Sequence, residues 1–245
     1  MRRFGIAAAM AALCVGVAAG DVFLNEVYAS HAGTDTQEFV ELIGTPSMSL
    51  NDYWVLVVEG DGAASGTLDR GYQLTSQSIP GDGYFVLGDT ATPNTDFLMG
   101  TDNQLENGSE TVYLVEADAV GAAAISARIG TDSDVNDDGI IFGAGGELSA
   151  GVTIVDIIAM VDSGFGTTDI VYDSAPVRGP DGTFFPAGVY RPSDHPNDWA
   201  NTFLNFDNTT IGSSDPTRPT PGGMNVPEPA SLALLALGAL ALRRR

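Results

Sequence analysis

The stretch DSDVNDDGIIFGAGGE, residues 132–147, carries oxygen-bearing side chains at alternating positions. Asp134, Asn136 and Asp138 supply ligand oxygens at positions 1, 3 and 5 of a loop that begins at Asp134. Gly139 follows at position 6, where a metal-binding loop needs a sharp turn. Hard cations, above all Ca²⁺, favour side-chain oxygens at this spacing. The pattern therefore predicts a candidate calcium site.

This loop resembles the calcium loops of the dockerin and EF-hand type, but it departs from them at its end. Position 12 is Gly145, where those loops place a bidentate acid, and Glu147 comes two residues later. The loop also occurs only once in the chain. Two interpretations therefore stay open, a solvated acidic turn and a weak calcium site.

The chain offers few groups for catalysis. Its histidines are His31 and His195, lysine is absent, and the single cysteine is Cys14. The sequence DHPND at 194–198 places His195 among acids, which suits a metal ligand or a general base as well as a solvated histidine. No nucleophile elbow, zinc-protease motif or phosphate-binding glycine loop occurs. We therefore expect no enzyme activity; a secreted metal-dependent hydrolase, with its site near His195 or the acidic loop, is the alternative.

The charge of the chain excludes one class of partner. The chain has 32 acidic residues against 10 arginines, which gives a formal net charge of −22 at pH 7. Five of the arginines lie at the two ends, so residues 21–225 hold 31 acids against five arginines, a net charge of −26. A surface this negative repels phosphate backbones, so we expect no nucleic-acid partner. It attracts divalent cations and cationic surfaces, and it helps to keep an exported protein in solution.

Short β-branched and aromatic runs recur between residues 21 and 206, separated by turn signals such as Pro80-Gly81 and Asn107-Gly108. The predicted strands lie at 21–30, 37–44, 52–60, 83–89, 110–117, 151–162 and 168–174. Repeated strands and turns without a strongly amphipathic helix predict an all-β protein, in particular a β-sandwich. Residues 118–130 fit either a helical turn or an alanine-rich strand.

Glu26, Glu38 and Glu41 lie on or beside the first two predicted strands. Because side chains alternate between the two faces of a strand, we expect these carboxylates to face solvent while their apolar neighbours face inward. The alternative is that the three carboxylates gather on one face of a sheet and form a cation site.

The strand motifs occur in the order of a known family. They are LNEV at 24–27, EFVEL at 38–42, PGDGYFVL at 80–87 and ETVYL at 110–114, followed by Arg191, Trp199 and TPGGMN at 220–225. This order resembles the lamin-tail domain, an immunoglobulin-like β-sandwich found in nuclear lamins and in many bacterial exported proteins. The resemblance implies one such domain over residues 21–225, with Trp54 in its core and an insert around 118–181.

The first 20 residues are typical of a secretory signal peptide. Two arginines precede an apolar stretch at residues 4–19. Ala18 and Gly20 place small residues at the −3 and −1 positions of a cut before Asp21. Signal peptidase is therefore an expected partner, and we expect the mature chain to begin at Asp21.

The last 20 residues combine a short motif, an apolar segment and a basic end. The motif is Val226-Pro227-Glu228-Pro229, the apolar segment runs from Ala230 to Leu242, and the end is Arg243-Arg244-Arg245. As a helix the segment spans about 20 Å, short of the ~30 Å hydrocarbon core of a bilayer. Arginines after an apolar run hold that end in the cytoplasm. The tail therefore predicts a marginal membrane stop, with the preceding chain outside.

This order of features resembles the PEP-CTERM sorting signal of Gram-negative bacteria. The resemblance implies that an exosortase-type membrane enzyme processes the chain near the motif, after transient anchoring in the inner membrane. The product then reaches the cell surface or the extracellular matrix. We therefore expect a non-enzymatic interaction or structural role, with extracellular polysaccharide as a candidate partner. A calcium-stabilised adhesive module is a further alternative.

Overall fold

The computed structural model describes residues 21–30, 34–194, 199–202 and 219–225. The strands in these ranges are β1 (Val22–Tyr28), β2 (Phe39–Gly44), β3 (Tyr53–Glu59), β4 (Leu68–Gln73), β5 (Tyr84–Gly88), β6 (Phe97–Leu98), β7 (Glu110–Ala117), β8 (Val152–Met160), β9 (Val177–Arg178), β10 (Gly188–Tyr190) and β11 (Ala200–Thr202). The helix α1 covers Ala119–Arg128, and short 3₁₀ turns cover Gly62–Ala64 and Pro192–Asp194. The expected all-β class is confirmed.

The strands form two sheets. The first has the order β11-β10-β1-β2-β5-β6, and the second has the order β4-β3-β7-β8-β9. Neighbouring strands run antiparallel except at two short pairs, β5 with β6 and β8 with β9. The β1–β10 pair joins residues near the start of the described chain to residues near its end, with Val27 opposite Val189. The first sheet is therefore built from distant parts of the sequence.

One face of each sheet contributes to a shared hydrophobic core. Leu24, Leu42 and Leu87 from the first sheet pack in one buried cluster with Val57 and Leu114 from the second. These residues alternate with outward-facing ones, as the period of two along a strand requires. The two sheets therefore pack face to face.

The second sheet is also covered on its outer face. There Trp54, Leu56 and Tyr113 form a second buried cluster with Ile125 of α1 and with Phe142 from the loop after α1. A strand buried on both faces has no need of polar alternation, which explains the continuous apolar run of β3. The expectation of a buried Trp54 is correct, although the side chain lies in this outer cluster and not between the sheets.

The segment that fitted either a helix or a strand is the helix α1. Its start is fixed by Asp118, whose Oδ1 accepts the N–H groups of Val120 at 2.8 Å and Gly121 at 3.0 Å. Aspartate is a favoured cap, and the alanines that follow are the strongest helix formers. The expected insert thus supplies a covering helix and also β8, which pairs with β7 along its length.

The strand predicted at residues 168–174 was wrong. Asp173 and Ser174 have φ angles of 49° and 56°, which no regular strand contains. Asp173 instead turns its carboxylate to the amide of Gly143 at 2.8 Å and to the hydroxyl of Tyr113 at 3.0 Å. The segment therefore anchors the loop after α1 and pairs only through an isolated bridge at Asp169.

Among the described residues, no helix has the length and apolar character needed to cross a membrane. The apolar segment predicted at 230–242 lies outside the described residues, as does the predicted signal peptide at 1–20.

Candidate functional site

Most residues of the predicted sorting and processing sites lie outside the described residues. These are Ala18 and Gly20 of the signal cleavage site, Val226, Pro227, Glu228 and Pro229 of the motif, Arg243, Arg244 and Arg245 of the basic end, and both histidines. Asp21 is the first described residue and is exposed. The structure does describe residues 219–225, here named the pre-motif segment because it ends directly before Val226.

The pre-motif segment lies on the outer face of the first sheet, over Glu26 and Glu41. The amide of Thr220 donates to Glu26 Oε2 at 3.1 Å, and the amide of Gly222 donates to Glu41 Oε2 at 2.6 Å. Gly222 has a φ of 76°, in the left-handed region that favours glycine, and this conformation aims its N–H at the carboxylate. Two neighbouring strands therefore hold the segment through buried carboxyl groups.

Asn225, the last residue of the segment, is also fixed. Its amide donates to Asp194 Oδ1 at 3.0 Å, and its side chain lies 3.4 Å from the carbonyl oxygen of Asn25. Asn25 in turn donates to Glu41 Oε1 at 2.7 Å and to Asp194 Oδ1 at 3.1 Å. We name Asn25, Glu26, Glu41 and Asp194 the acidic cluster. Because Asn225 is buried against this cluster, the fold continues up to the residue before the motif.

The glutamates of the cluster were expected to face solvent, and this was wrong. Glu26 and Glu41 are directly opposite each other in the β1–β2 pair, and both are fully buried. A bulge between Leu24 and Glu26 shifts the alternation of β1, so both glutamates do point away from the core between the sheets. That face is covered by the pre-motif segment and by the turn that carries Asp194.

Burial sets the protonation of the cluster. It raises the pKa of Glu26 to about 8. Hydrogen bonds from Thr220 lower this pKa, and the charge of Asp194 adds to the rise. Burial and the neighbouring Glu26 also raise the pKa of Glu41 well above its ordinary value. Two adjacent carboxyl groups out of water resist joint ionisation, so the cluster holds a proton at neutral pH.

The hydrogen bonds of the Thr220 hydroxyl indicate that this proton is on Glu26. The hydroxyl oxygen is 3.1 Å from Glu26 Oε2 and 3.0 Å from Asn225 Oδ1, and both partners are acceptors when Glu26 is ionised. A hydroxyl has one hydrogen to donate. Both bonds form together when protonated Glu26 donates to Thr220 Oγ1 and Thr220 donates to Asn225. The proton on Glu26 therefore completes the attachment of the pre-motif segment.

The third predicted glutamate does not join this cluster. Glu38 lies before β2, where its carboxylate accepts the amide of Leu105 at 3.1 Å. Burial raises its pKa, and the charges of Asp89 and Asp35 add to the rise. The proposed gathering of all three glutamates on one face is therefore wrong, and two separate acidic groups exist instead.

The structure brings the predicted calcium ligands together in a tight turn. Asp134 Oδ2 accepts the amide of Gly139 at 3.0 Å, and Asn136 Oδ1 accepts that of Asp138 at 3.1 Å. Glu147 also folds back, and its Oε1 accepts the amide of Asn136 at 3.2 Å. These oxygens hold the turn by bonding backbone amides. In the described part of the chain, no group of three or more His, Cys, Asp or Glu side chains is arranged to hold a metal ion.

Arg191 links the two sheets beside the acidic cluster. Its guanidinium donates to Asp156 Oδ2 on β8 at 2.6 Å and to the Leu24 carbonyl on β1 at 2.6 Å. It also stacks on Trp199, 4.2 Å from the ring centroid. The arginine and tryptophan in the closing part of the sequence are therefore structural, and they fix the strand that leads to Asp194.

The pre-motif segment leads directly into a stretch of chain that matches a known family. Residues 225–245 match the PEP-CTERM protein-sorting motif. The match begins at Asn225, so the folded chain and the motif meet at this residue. No curated protein and no solved structure matches the chain.

The PEP-CTERM motif indicates export and exosortase-dependent sorting to the cell surface. An exosortase-type processing enzyme is thus a partner that the motif implies. The sequence-based prediction of this signal is confirmed.

Sequence reasoning missed the residues that attach the fold to the PEP-CTERM motif. Asp194 was considered only as a neighbour of His195, and Thr220 and Asn225 only as part of a closing pattern. A polar TPGGMN stretch directly before a sorting motif was a usable signal. Its buried partners, however, lie up to about 200 residues earlier in the chain, as the separation of Asn25 and Asn225 shows.

Proposed function

We propose that this chain is an exported surface or matrix protein with a non-enzymatic structural or interaction role. Residues 21–225 are the mature body, released from the signal peptide by signal peptidase before Asp21. Residues 226–245 are a sorting address that the exosortase-type enzyme removes or exchanges. The observation that carries this proposal is the buried Asn225 directly before Val226, because cleavage beyond it leaves every described contact of the fold in place.

The mature body is best interpreted as an immunoglobulin-like sandwich of the lamin-tail type. The supporting observation is the placement of the family-like motifs. LNEV lies on β1, EFVEL runs into β2, YFVL lies on β5, and ETVYL starts β7. The closing TPGGMN bonds to the acidic residues of the first two motifs. These motifs therefore act together in the fold, as the parts of one domain do.

A non-enzymatic role is supported by what the acidic side chains do. Glu26 and Glu41 bond to the pre-motif segment, and Asp134 and Asp173 bond to the amides of turns. Each carboxylate is thereby used to stabilise the chain. The strongly acidic surface suits contact with cationic groups, or with anionic polysaccharide through bridging divalent cations.

The sorting step can be tested by following the C-terminus of the full chain. The protein is expressed in a host with its exosortase and in the same host without it, and surface fractions are analysed by mass spectrometry. We expect peptides from residues 230–245 to be absent from the surface protein only when the exosortase is present. A Pro227→Ala, Glu228→Ala variant should stay in the membrane fraction. Glu116→Ala, at an exposed position of β7, is the matched control and should be sorted normally.

An intact 230–245 segment on protein at the cell surface contradicts the proposal. So does equal processing of the motif variant and the control. Circular dichroism of the variants separates a sorting defect from a failure to fold.

A calcium-stabilised adhesive module is a second candidate, favoured by one observation. Glu147 folds back to within 3.2 Å of the Asn136 amide, so the acid that comes late in the sequence lies beside the three predicted ligands Asp134, Asn136 and Asp138. If the loop binds the ion, Ca²⁺ should raise the melting temperature of the wild type more than that of Asp138→Asn. A melting temperature that ignores both Ca²⁺ and chelator removes this candidate.

A further inference from the structure

Glu38 and Asp89 form a buried carboxyl pair at one end of the core between the sheets. Both residues are 0% exposed. The Asp89 amide donates to the Glu38 carbonyl at 2.9 Å, and each carboxyl group affects the pKa of the other. This backbone link and the ends of β2 and β5 fix the separation of the pair.

One oxygen of Glu38 is held by the backbone. Glu38 Oε2 accepts the amides of Gln104 and Leu105, the latter at 3.1 Å. The loop that carries these amides is also tied at Gln104, whose side chain donates to the Asp102 carbonyl at 2.7 Å and accepts from Tyr72 at 3.1 Å. Glu38 is therefore fixed in orientation, with its second oxygen free for another partner.

Three buried oxygens of this pair have no donor among the described residues. They are Glu38 Oε1, Asp89 Oδ1 and Asp89 Oδ2. A buried carboxylate without partners is costly, and native proteins rarely leave one so. The three oxygens therefore need further partners, which a shared proton, ordered water or a bound cation can supply.

A proton between the side chains satisfies Glu38 Oε1 and one oxygen of Asp89, and the other Asp89 oxygen then needs a hydrogen bond from water. A cation bound by both Asp89 oxygens and by Glu38 Oε1 satisfies all three. Bidentate carboxylates are ordinary ligands of Ca²⁺.

The surroundings add negative charge. Asp35 and Asp102 lie close enough to raise the pKa of Asp89, and Asp35 raises that of Glu38 as well. Arg70, on the neighbouring β4, is paired with Asp69 at 2.7 Å. The negative charge of these carboxylates favours the binding of a cation here. The net charge of −26 over residues 21–225 raises the local cation concentration further.

We propose that Glu38 and Asp89 bind a hard divalent cation of the Ca²⁺ type, as a site separate from the Asp134 loop and beyond the sorting function. Two side chains supply the carboxylate oxygens, and backbone carbonyls and water complete the shell, as is usual for Ca²⁺. The cation joins the loop around Gln104 to the ends of β2 and β5. It thereby makes the stability of this end of the core depend on the ion content of the extracellular medium.

The test uses the full chain after treatment with EGTA. CaCl₂ alone is titrated calorimetrically at pH 7. We expect saturable binding and a roughly 100-fold fall in the unfolding equilibrium constant at a Ca²⁺ concentration of about 100 times Kd. Asp89→Asn and Glu38→Gln should lose this binding. The matched control Asp138→Asn, which alters the other acidic loop, should keep it.

Misfolding of the variants does not obscure the result. Asp89→Asn and Glu38→Gln each replace a buried carboxyl group by an amide of nearly the same shape, so without Ca²⁺ both should unfold at a temperature close to that of the wild type or above it. Three outcomes overturn the proposal: no Ca²⁺ binding by the wild type, unchanged binding by both variants, or loss of binding in Asp138→Asn alone. A pair that only shares a proton gives the first of these.

Discussion

Glu26→Gln should make the stability of the fold less dependent on pH. The folded-state pKa of Glu26 is about 8 against an ordinary value of 4.5, so between these values the folded protein holds a proton that the unfolded chain has lost. The stabilisation is fully present below pH 4.5 and is lost as the pH rises through 8. For these two pKa values, proton linkage predicts a loss of about 3 kcal/mol between pH 5 and pH 8.

This loss is large compared with the total stability of a domain, about 5 to 15 kcal/mol. Glutamine keeps the size of the side chain and still donates a hydrogen bond to Thr220, as protonated Glu26 does. The variant should therefore match the wild type at pH 5 to within about 1 kcal/mol, and it should exceed it by about 3 kcal/mol at pH 8. Other buried acids add to the slope of both proteins, so the difference reports on Glu26 and on Glu41, whose pKa Glu26 raises.

Urea unfolding at pH 5, 6, 7 and 8 measures this difference, with the fluorescence of the buried Trp54 and Trp199 as the probe. Glu116→Gln, at an exposed position of β7, is the control and should follow the wild type at every pH. If Glu26→Gln loses stability with pH as steeply as the wild type, then Glu26 is not the proton-holding group and the attachment described for Thr220 is wrong.

Three further substitutions test the packing around the site. Arg191→Met should cost about 3 kcal/mol in urea unfolding, because it leaves the partly buried Asp156 without its ion partner; a cost below 1 kcal/mol would show that the link between the sheets is unimportant. Thr220→Val should cost about 1 to 2 kcal/mol and speed proteolysis between residues 219 and 225, since both hydroxyl bonds are lost; unchanged cleavage contradicts this. Asp118→Ala should lower the free energy of unfolding by about 1 kcal/mol, the typical contribution of a helix cap, and Asp118→Asn should restore it; both are measured by urea unfolding.

The strands that could be predicted are those that the composition of their own residues marks as strands. β3, β7 and β8 are long apolar runs, and their sequences alone mark them because both faces of the second sheet are covered. β4, with the sequence LDRGYQ, was missed, since only Leu68 and Tyr72 in it are buried. The false strand at 168–174 has the right composition, but Asp173 bonds to the loop after α1 and bends the backbone.

The acidic cluster shows what a sequence pattern leaves out. Alternation indicated correctly that Glu26 and Glu41 point away from the shared core. It carried no information on what covers them, because Gly222 approaches Glu41 from a position 181 residues later. The PEP-CTERM motif, in contrast, was predicted from the sequence, since a sorting signal is recognised as a contiguous stretch of chain and needs no partner from the fold.

The pairing of β1 with β10 has a consequence for how the chain folds during export. A chain that crosses a membrane from its N-terminus delivers β1 and β2 first, yet the neighbour of β1 arrives only when residues 188–190 have emerged. Non-local pairing of this kind is slow, and until then the edge of β1 stays open to other chains. The pre-motif segment, which covers Glu26 and Glu41, comes later still. Folding is therefore completed only when residues 219–225, directly before the sorting motif, have emerged, and the open edge of β1 is exposed for most of the export of the chain.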